Sequence, residues 1–147
     1  MSNQGSCQCG AIAFEFEGPS FLTFCHCKNC QKLHGSAFAP FLHAESKTFK
    51  WLKGEEFLSY FNSSSHLRRA FCSKCGSTLP IVSHALNHIA VPASAMDTPI
   101  VQQPVAHFYT RSQASWFCIG DNAQQYETTP LGGIREVYER VLSMNET

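Results

Sequence analysis

Cys7-Gln8-Cys9-Gly10-Ala11-Ile12-Ala13-Phe14-Glu15-Phe16 carries two signals on adjoining residues. In extended chain, residues two apart face the same side, so Cys7 and Cys9 can both address one ion. Gly10 supplies the backbone freedom that a turn behind such a pair favours. From Ala11 onward apolar residues alternate with period two, the pattern of a half-buried strand, and Gly18-Pro19 closes the run. The stretch reads as a ligand-bearing turn that feeds a β-strand.

The same period continues outward. Residues 48–52, 57–61, 78–82, 89–92, 107–110 and 115–119 are strand-like, and their spacing of about ten residues predicts a mainly β fold of short antiparallel strands. Two segments read as helix. Residues 27–33 lack β-branched side chains and predict a short helical turn. In the tail 130–147, Ile134, Val137, Tyr138, Val141 and Leu142 fall on one helical stripe behind the hinge Pro130-Leu131-Gly132-Gly133. No repeat or linker divides the 147 residues, which predicts a single domain, 1–147, with a core over about 5–127 and a C-terminal helical tail.

Composition excludes several functions. Lys plus Arg and Asp plus Glu are 11 each, so bulk charge cannot hold this chain to nucleic acid. The start, Met1-Ser2-Asn3-Gln4-Gly5-Ser6, is polar, and no apolar run approaches the ~20 residues that cross a bilayer. A cytoplasmic location without membrane partners follows as the expectation, and there thiols stay reduced and clustered cysteines bind metal.

Seven of the eight cysteines form three groups: Cys7-x-Cys9, Cys25-x-Cys27-x-x-Cys30 and Cys72-x-x-Cys75 followed by Gly76. Two converging pairs supply the four thiolates of a closed structural zinc site, whereas three thiolates leave a corner open, as in catalytic sites. Spacing leaves the combination undecided, since Cys27/Cys30 with Cys72/Cys75 would make an ordinary zinc ribbon. His34 or Cys118 are candidates to close the middle group. His26 sits between two cysteines and should point away from them. Lys28, Lys32, Arg68, Arg69 and Arg111 are candidate anion contacts, with solvated surface charge as the plainer reading. Gly35-Ser36 reads as a turn that could offer amides to a substrate. Cys118, in the apolar run Trp116-Phe117-Cys118-Ile119, reads as a buried inert thiol.

The three cysteine motifs in this order resemble the glutathione-dependent formaldehyde-activating enzyme family. Gly5-Ser6-Cys7-Gln8-Cys9-Gly10 is similar to its opening, Cys25-His26-Cys27-Lys28-Asn29-Cys30 through Phe38 to its central motif, and Phe71-Cys72-Ser73-Lys74-Cys75-Gly76 to its third. Weaker likeness follows at Met96-Asp97, 104–107 and 116–121. The resemblance implies the Mss4-like or β-tent fold and two zinc ions, a structural one on Cys7, Cys9, Cys72 and Cys75 and a catalytic one on Cys25, Cys27 and Cys30. It also implies a carbon–sulfur lyase that interconverts formaldehyde plus a small thiol, glutathione, with S-hydroxymethylglutathione; a homodimer is compatible with it. The family's eukaryotic branch includes a centromere-associated protein, so the scaffold also serves other ends.

The chemistry is consistent with the ligands. A free thiol is only a few per cent ionised at neutral pH, and three thiolates around zinc favour an electron-rich bound thiolate over activated water. Two rivals stand beside this reading. B-type methionine sulfoxide reductases share a related fold, but Cys118 lacks the Arg and Asn neighbours of their catalytic cysteine. The other is a binding module with two structural metals, which a fourth protein ligand on Cys25, Cys27 and Cys30 would favour.

Overall fold

The computed structural model describes residues 2–145. Among them are eleven short strands and two α-helices: β1 (Asn3–Ser6), β2 (Ala13–Phe16), β3 (Phe21–Cys25), α1 (Lys28–His34), β4 (Ala39–Ala44), β5 (Lys50–Lys53), β6 (Leu58–Asn62), β7 (Arg68–Cys72), β8 (Ile81–Ser83), β9 (His88–Pro92), β10 (Pro104–Phe108), β11 (Gln124–Gln125) and α2 (Gly133–Asn145). The fold is mainly β with a C-terminal helix. The chain groups into two compact units, one running to Leu22 and resuming over Pro40–Gln103, the other comprising Thr23–Ala39 and the chain from Pro104 onward.

In the first unit, β1, β2 and β5 form an antiparallel sheet in that order, β6 pairs β7, and β9 lies between β4 and β8. Alternation in β2 has the expected consequence: Phe14 and Phe16 are fully buried. Phe14 stacks on Phe49 at 5.9 Å and meets the edge of Trp51 at 6.1 Å. Burying such side chains is worth roughly 1.5–3 kcal/mol each, so this aromatic group anchors the strand that follows Cys9. Gly54, at φ 82°, turns the chain after β5. A Cβ there would overlap the Ala11 carbonyl just before β2.

A histidine pair also lies in this unit, His43 buried and His88 half-buried. His43 stacks on Phe21 at 5.1 Å and on His88 at 5.1 Å, with His43 Nδ1 3.2 Å from His88 Nε2. Burial, then the proximity of His88, holds the His43 pKa well below the ordinary 6.5.

In the second unit β10 lies between β11 and β3, and it runs parallel to β11. Helix α1 begins at Cys27 and ends at Gly35, whose φ of 60° lets its N–H return to the Gln31 carbonyl. Val137 and Tyr138 give α2 its buried face, and Arg140 donates to the Val105 carbonyl at 2.8 Å and to Tyr126 Oη at 3.2 Å. Leu142's side chain and residues 146–147 of the expected helical tail lie outside the described residues.

The strand expected at 115–119 does not form. Phe117 N–H returns to the Ala114 carbonyl, and Gln113 Nε2 donates to the Phe117 carbonyl at 2.9 Å, so the backbone is taken up by local turns. Trp116 is 73% exposed, and Cys118 is exposed rather than buried.

Two predictions follow from packing and burial. Gly54→Ala combines backbone strain with a clash against fixed main chain and should lower the unfolding free energy by about 2–4 kcal/mol in denaturant melts; a change below experimental error would contradict the geometry. His43 titrates near 6.5 when unfolded but much lower when folded, so below that pH the unfolded chain binds a proton that the folded one refuses. Its contribution is intact above about pH 6.5 and falls as pH drops, by up to about 1.4 kcal/mol per unit. His43→Phe should therefore make the acid side of the stability–pH curve shallower, and an unchanged slope would rule His43 out as a cause.

Candidate metal and thiol site

Seven of the cysteines expected as ligands gather into two clusters, Cys7/Cys9/Cys72/Cys75 and Cys25/Cys27/Cys30; within each, the sulfurs lie within 4.8 Å of one another. Each cluster belongs wholly to one compact unit. None of the eight cysteines is in a disulfide.

Two matching turns build the four-thiol cluster. After Cys7, Gly10 N–H bonds back to the Cys7 carbonyl at 3.0 Å; after Cys72, Gly76 N–H does the same at 2.8 Å. Both glycines take positive φ, 79° and 78°. Ile12 N–H donates to Cys7 Sγ at 3.3 Å. The Ser77 hydroxyl ties the turns together, accepting from Gln8 N–H at 2.9 Å and lying 3.2 Å from Cys75 Sγ. The sulfurs of Cys7 and Cys9 are 3.6 Å apart and those of Cys9 and Cys72 3.8 Å. A tetrahedral ion with metal–sulfur bonds of ~2.3 Å has sulfur–sulfur edges of about 3.8 Å, so the donor set fits such an ion.

The electrostatics agree. Hydrogen bonds from the Ser77 hydroxyl and then its backbone pull Cys75 down to about 5. Cys9 receives help from the Ala11 backbone, but desolvation and the neighbouring thiols outweigh it and push it up to about 11. Without a cation the four thiols cannot all ionise together.

The three-thiol cluster is built differently. Cys25 ends β3, Cys27 caps α1, and Cys30 lies in the first helical turn, buried, its N–H donating to Cys27 Sγ at 3.3 Å. Crowding by the Cys27 and Cys30 thiols, followed by desolvation, drives the Cys25 pKa far above the ordinary thiol value. Three sulfurs so placed would take a cation in exchange for protons. Among the described residues no fourth histidine, cysteine or carboxylate joins them, so neither His34 nor Cys118 closes the set. Lys28 and Lys32 are exposed on α1, with Lys28 Nζ 3.4 Å from Gln31 Oε1.

His26 does not join the clustered sulfurs; its ring is fully buried and packs against His107, Phe38 and Phe117. Its Nε2 lies 2.8 Å from His107 Nδ1, and His107 Nε2 lies 3.0 Å from both carboxylate oxygens of Asp121. Burial, then His107, lowers the His26 pKa to about 4. Partial desolvation opposes ionisation of Asp121, but the Ala123 N–H and His107 more than offset it and hold the carboxyl below its usual range. Sequence reading missed this chain of contacts. Its one signal was that His107 and Asp121 fall in the weaker family-like stretches.

The family model described as glutathione-dependent formaldehyde-activating enzyme matches residues 2–112. The chain belongs to that family. A Halomonas elongata protein provisionally named a glutathione-dependent formaldehyde-activating enzyme is 29% identical over 134 residues, covering 84% of this chain and 85% of that protein. An uncharacterized lyase of Schizosaccharomyces pombe is 33% identical over 78 residues, covering 52% of this chain and 54% of its own length. The fold is similar to the crystal structure of a Rhodobacter sphaeroides protein, with a TM-score of 0.55 and 21% identity over 67% of this chain and 91% of that one. Family membership makes this a glutathione-related lyase at the level of class, with two cysteine clusters able to hold metal. No helix among the described residues is long and apolar enough to cross a membrane.

The two clusters should respond differently to loss of a ligand. The four-thiol cluster joins segments 63 residues apart, and structural metal contributes on the order of 10 kcal/mol to small modules. Cys72→Ser should give insoluble or unfolded protein, whereas Cys27→Ser should remain folded with one fewer metal ion per chain by elemental analysis. A soluble Cys72→Ser protein with unchanged Tm would sink the structural assignment.

Proposed function

We propose that this chain is a single-domain, cytoplasmic, zinc-dependent carbon–sulfur lyase whose substrate is the adduct of formaldehyde with a small thiol, glutathione being the thiol that the family name specifies. Cys7, Cys9, Cys72 and Cys75 hold the structural zinc in this reading, and Cys25, Cys27 and Cys30 the catalytic one. One observation carries the assignment: the first cluster has four protein sulfurs, while the second has three and no fourth protein ligand among the described residues. Closed four-ligand sites are structural, and three-ligand sites keep a position for substrate.

Zinc held by Cys25, Cys27 and Cys30 would supply the Lewis acidity that keeps an incoming thiol ionised near neutral pH. The reaction itself needs no oxidant. In the synthetic direction the thiol sulfur bonds to the formaldehyde carbon, and the proton lost from sulfur ends on the former carbonyl oxygen. In reverse the carbon–sulfur bond breaks, formaldehyde leaves and the thiol recovers a proton. The chain's own part is placement. Cys30 N–H holds Cys27 Sγ, and the turn at Gly35 ends α1 so that Lys28 and Lys32 stand exposed on the cluster's own helix. Their ammonium groups suit the two carboxylates of glutathione.

Cobalt-substituted protein tests this directly. Glutathione should change the cobalt–thiolate absorption bands, with affinity rising as pH rises towards the thiol's own pKa, because binding releases a proton. S-methylglutathione keeps the framework but cannot ionise, so it should leave the bands unchanged. If several small thiols at millimolar concentration leave them unchanged too, the open site is refuted and a binding module with two structural metals takes its place.

A further inference from the structure

We propose that Asp121 and His107 are positioning residues for the Cys25/Cys27/Cys30 cluster and act on it through His26. The inference rests on the reading of that cluster as a metal site.

The hydrogen-bond chemistry has one direction. Ionised Asp121 can only accept, so His107 Nε2–H donates to it across 3.0 Å. With neutral rings, His107 Nδ1 is then a bare acceptor, and the 2.8 Å contact to His26 requires Nε2–H of His26 to donate. That leaves His26 Nδ1 unprotonated, and it is the one buried side-chain nitrogen without a partner among the described residues. A carboxylate at one end thus fixes the tautomers of two imidazoles, as outer-shell carboxylates do for metal-bound histidines.

His26 is fixed at its backbone as well. Its N–H donates to the Phe108 carbonyl at 2.8 Å. Its carbonyl accepts from Gln31 Nε2 at 2.7 Å, and the same nitrogen donates to the Ser112 carbonyl at 2.9 Å. The residue between Cys25 and Cys27 is therefore held at its nitrogen, its oxygen and its ring by the segment from His107 to Asp121, with Gln31 as the bridge. Both cysteines are one peptide bond away, so any rotation at His26 moves two sulfurs together. The rings of Phe38 and Phe117, centred 5.4 and 6.3 Å from His26, pack the same imidazole.

Asp121→Asn should loosen the chain at its carboxylate end. Asp121 Oδ1 also accepts from Ala123 N–H at 2.9 Å. The new amide oxygen keeps that contact and can still accept from His107 Nε2, but the NH2 group takes the place of the second oxygen, also 3.0 Å from that nitrogen, and the negative charge is lost. The chain keeps its direction but is held less firmly at its end, since a charge-assisted hydrogen bond becomes a neutral one beside a second donor.

The test uses nitrogen-15-labelled, metal-loaded protein, reading imidazole tautomers from long-range proton–nitrogen correlations and second-site zinc affinity by chelator competition. Wild type should show His26 protonated at Nε2 and bare at Nδ1. Zinc affinity of the second site should fall about 10–100-fold, with the four-thiol site unaffected and most of the loss recovered in Asp121→Glu. A wild-type His26 protonated at Nδ1, or unaltered zinc affinity in Asp121→Asn, overturns the proposal. Should Asp121→Asn fail to fold, the wild-type tautomers and the affinity of Asp121→Glu, expected close to wild type, decide. A wild-type protein that takes up a single metal ion, with His26 still bare at Nδ1, would instead overturn the metal-site reading beneath it.

Discussion

Four sulfur atoms within 4.8 Å of one another impose a condition that the surrounding fold must satisfy. As thiols they compete for a few hydrogen-bond donors, and as thiolates they repel unless a cation lies between them. The chain meets the condition by spending its most conformationally specialised residues there: a positive-φ glycine behind each cysteine pair and a serine hydroxyl shared between them. The rest of that unit follows from the clamp. The β2 strand leaves Cys9 by way of Gly10 and buries Phe14 and Phe16, and β7 delivers Cys72 from the opposite direction along the chain.

The three-thiol cluster obeys another logic. Its cysteines come from one short loop and the first turn of α1, so it contributes little long-range closure. What holds it is a set of ordinary polar contacts to β10 and the segment that follows it. A site that must exchange a ligand gains from having its protein ligands fixed by groups that do not themselves bind the ion. The division between a cluster that joins distant chain and a cluster that is held in place is the one that the proposed structural and catalytic roles call for.

Much of this was legible from residues alone, for reasons that vary with the segment. The cysteine motifs could be read because ligand spacing is a local constraint. The β2 strand showed itself by period two, and α1 and α2 by the absence or spacing of apolar and β-branched positions. By contrast, β3 is nearly continuous apolar residues running into Cys25, and the Arg68-Arg69 start of β7 hides its alternation. Residues 115–119 misled because apolar composition cannot distinguish a strand from a turn that leaves Trp116 in solvent. The contact between His26 and His107 spans 81 residues, and no local pattern announces a pairing made by tertiary structure. Cys118 was misplaced for the same reason as its neighbours.

Gln31 has a consequence of another kind. Its single amide nitrogen bonds two main-chain carbonyls, those of His26 and Ser112, so both of its hydrogens are committed. Hydrolysis of that amide, a slow form of chemical ageing, would replace the nitrogen by a carboxylate oxygen facing two carbonyl oxygens, and two attractions would become two repulsions. Every cysteine would remain intact and reduced, and thiol titration would count the aged molecule as sound. The durability of the loop between Cys25 and Cys30 is thus set by an amide, independently of the redox state of its sulfurs.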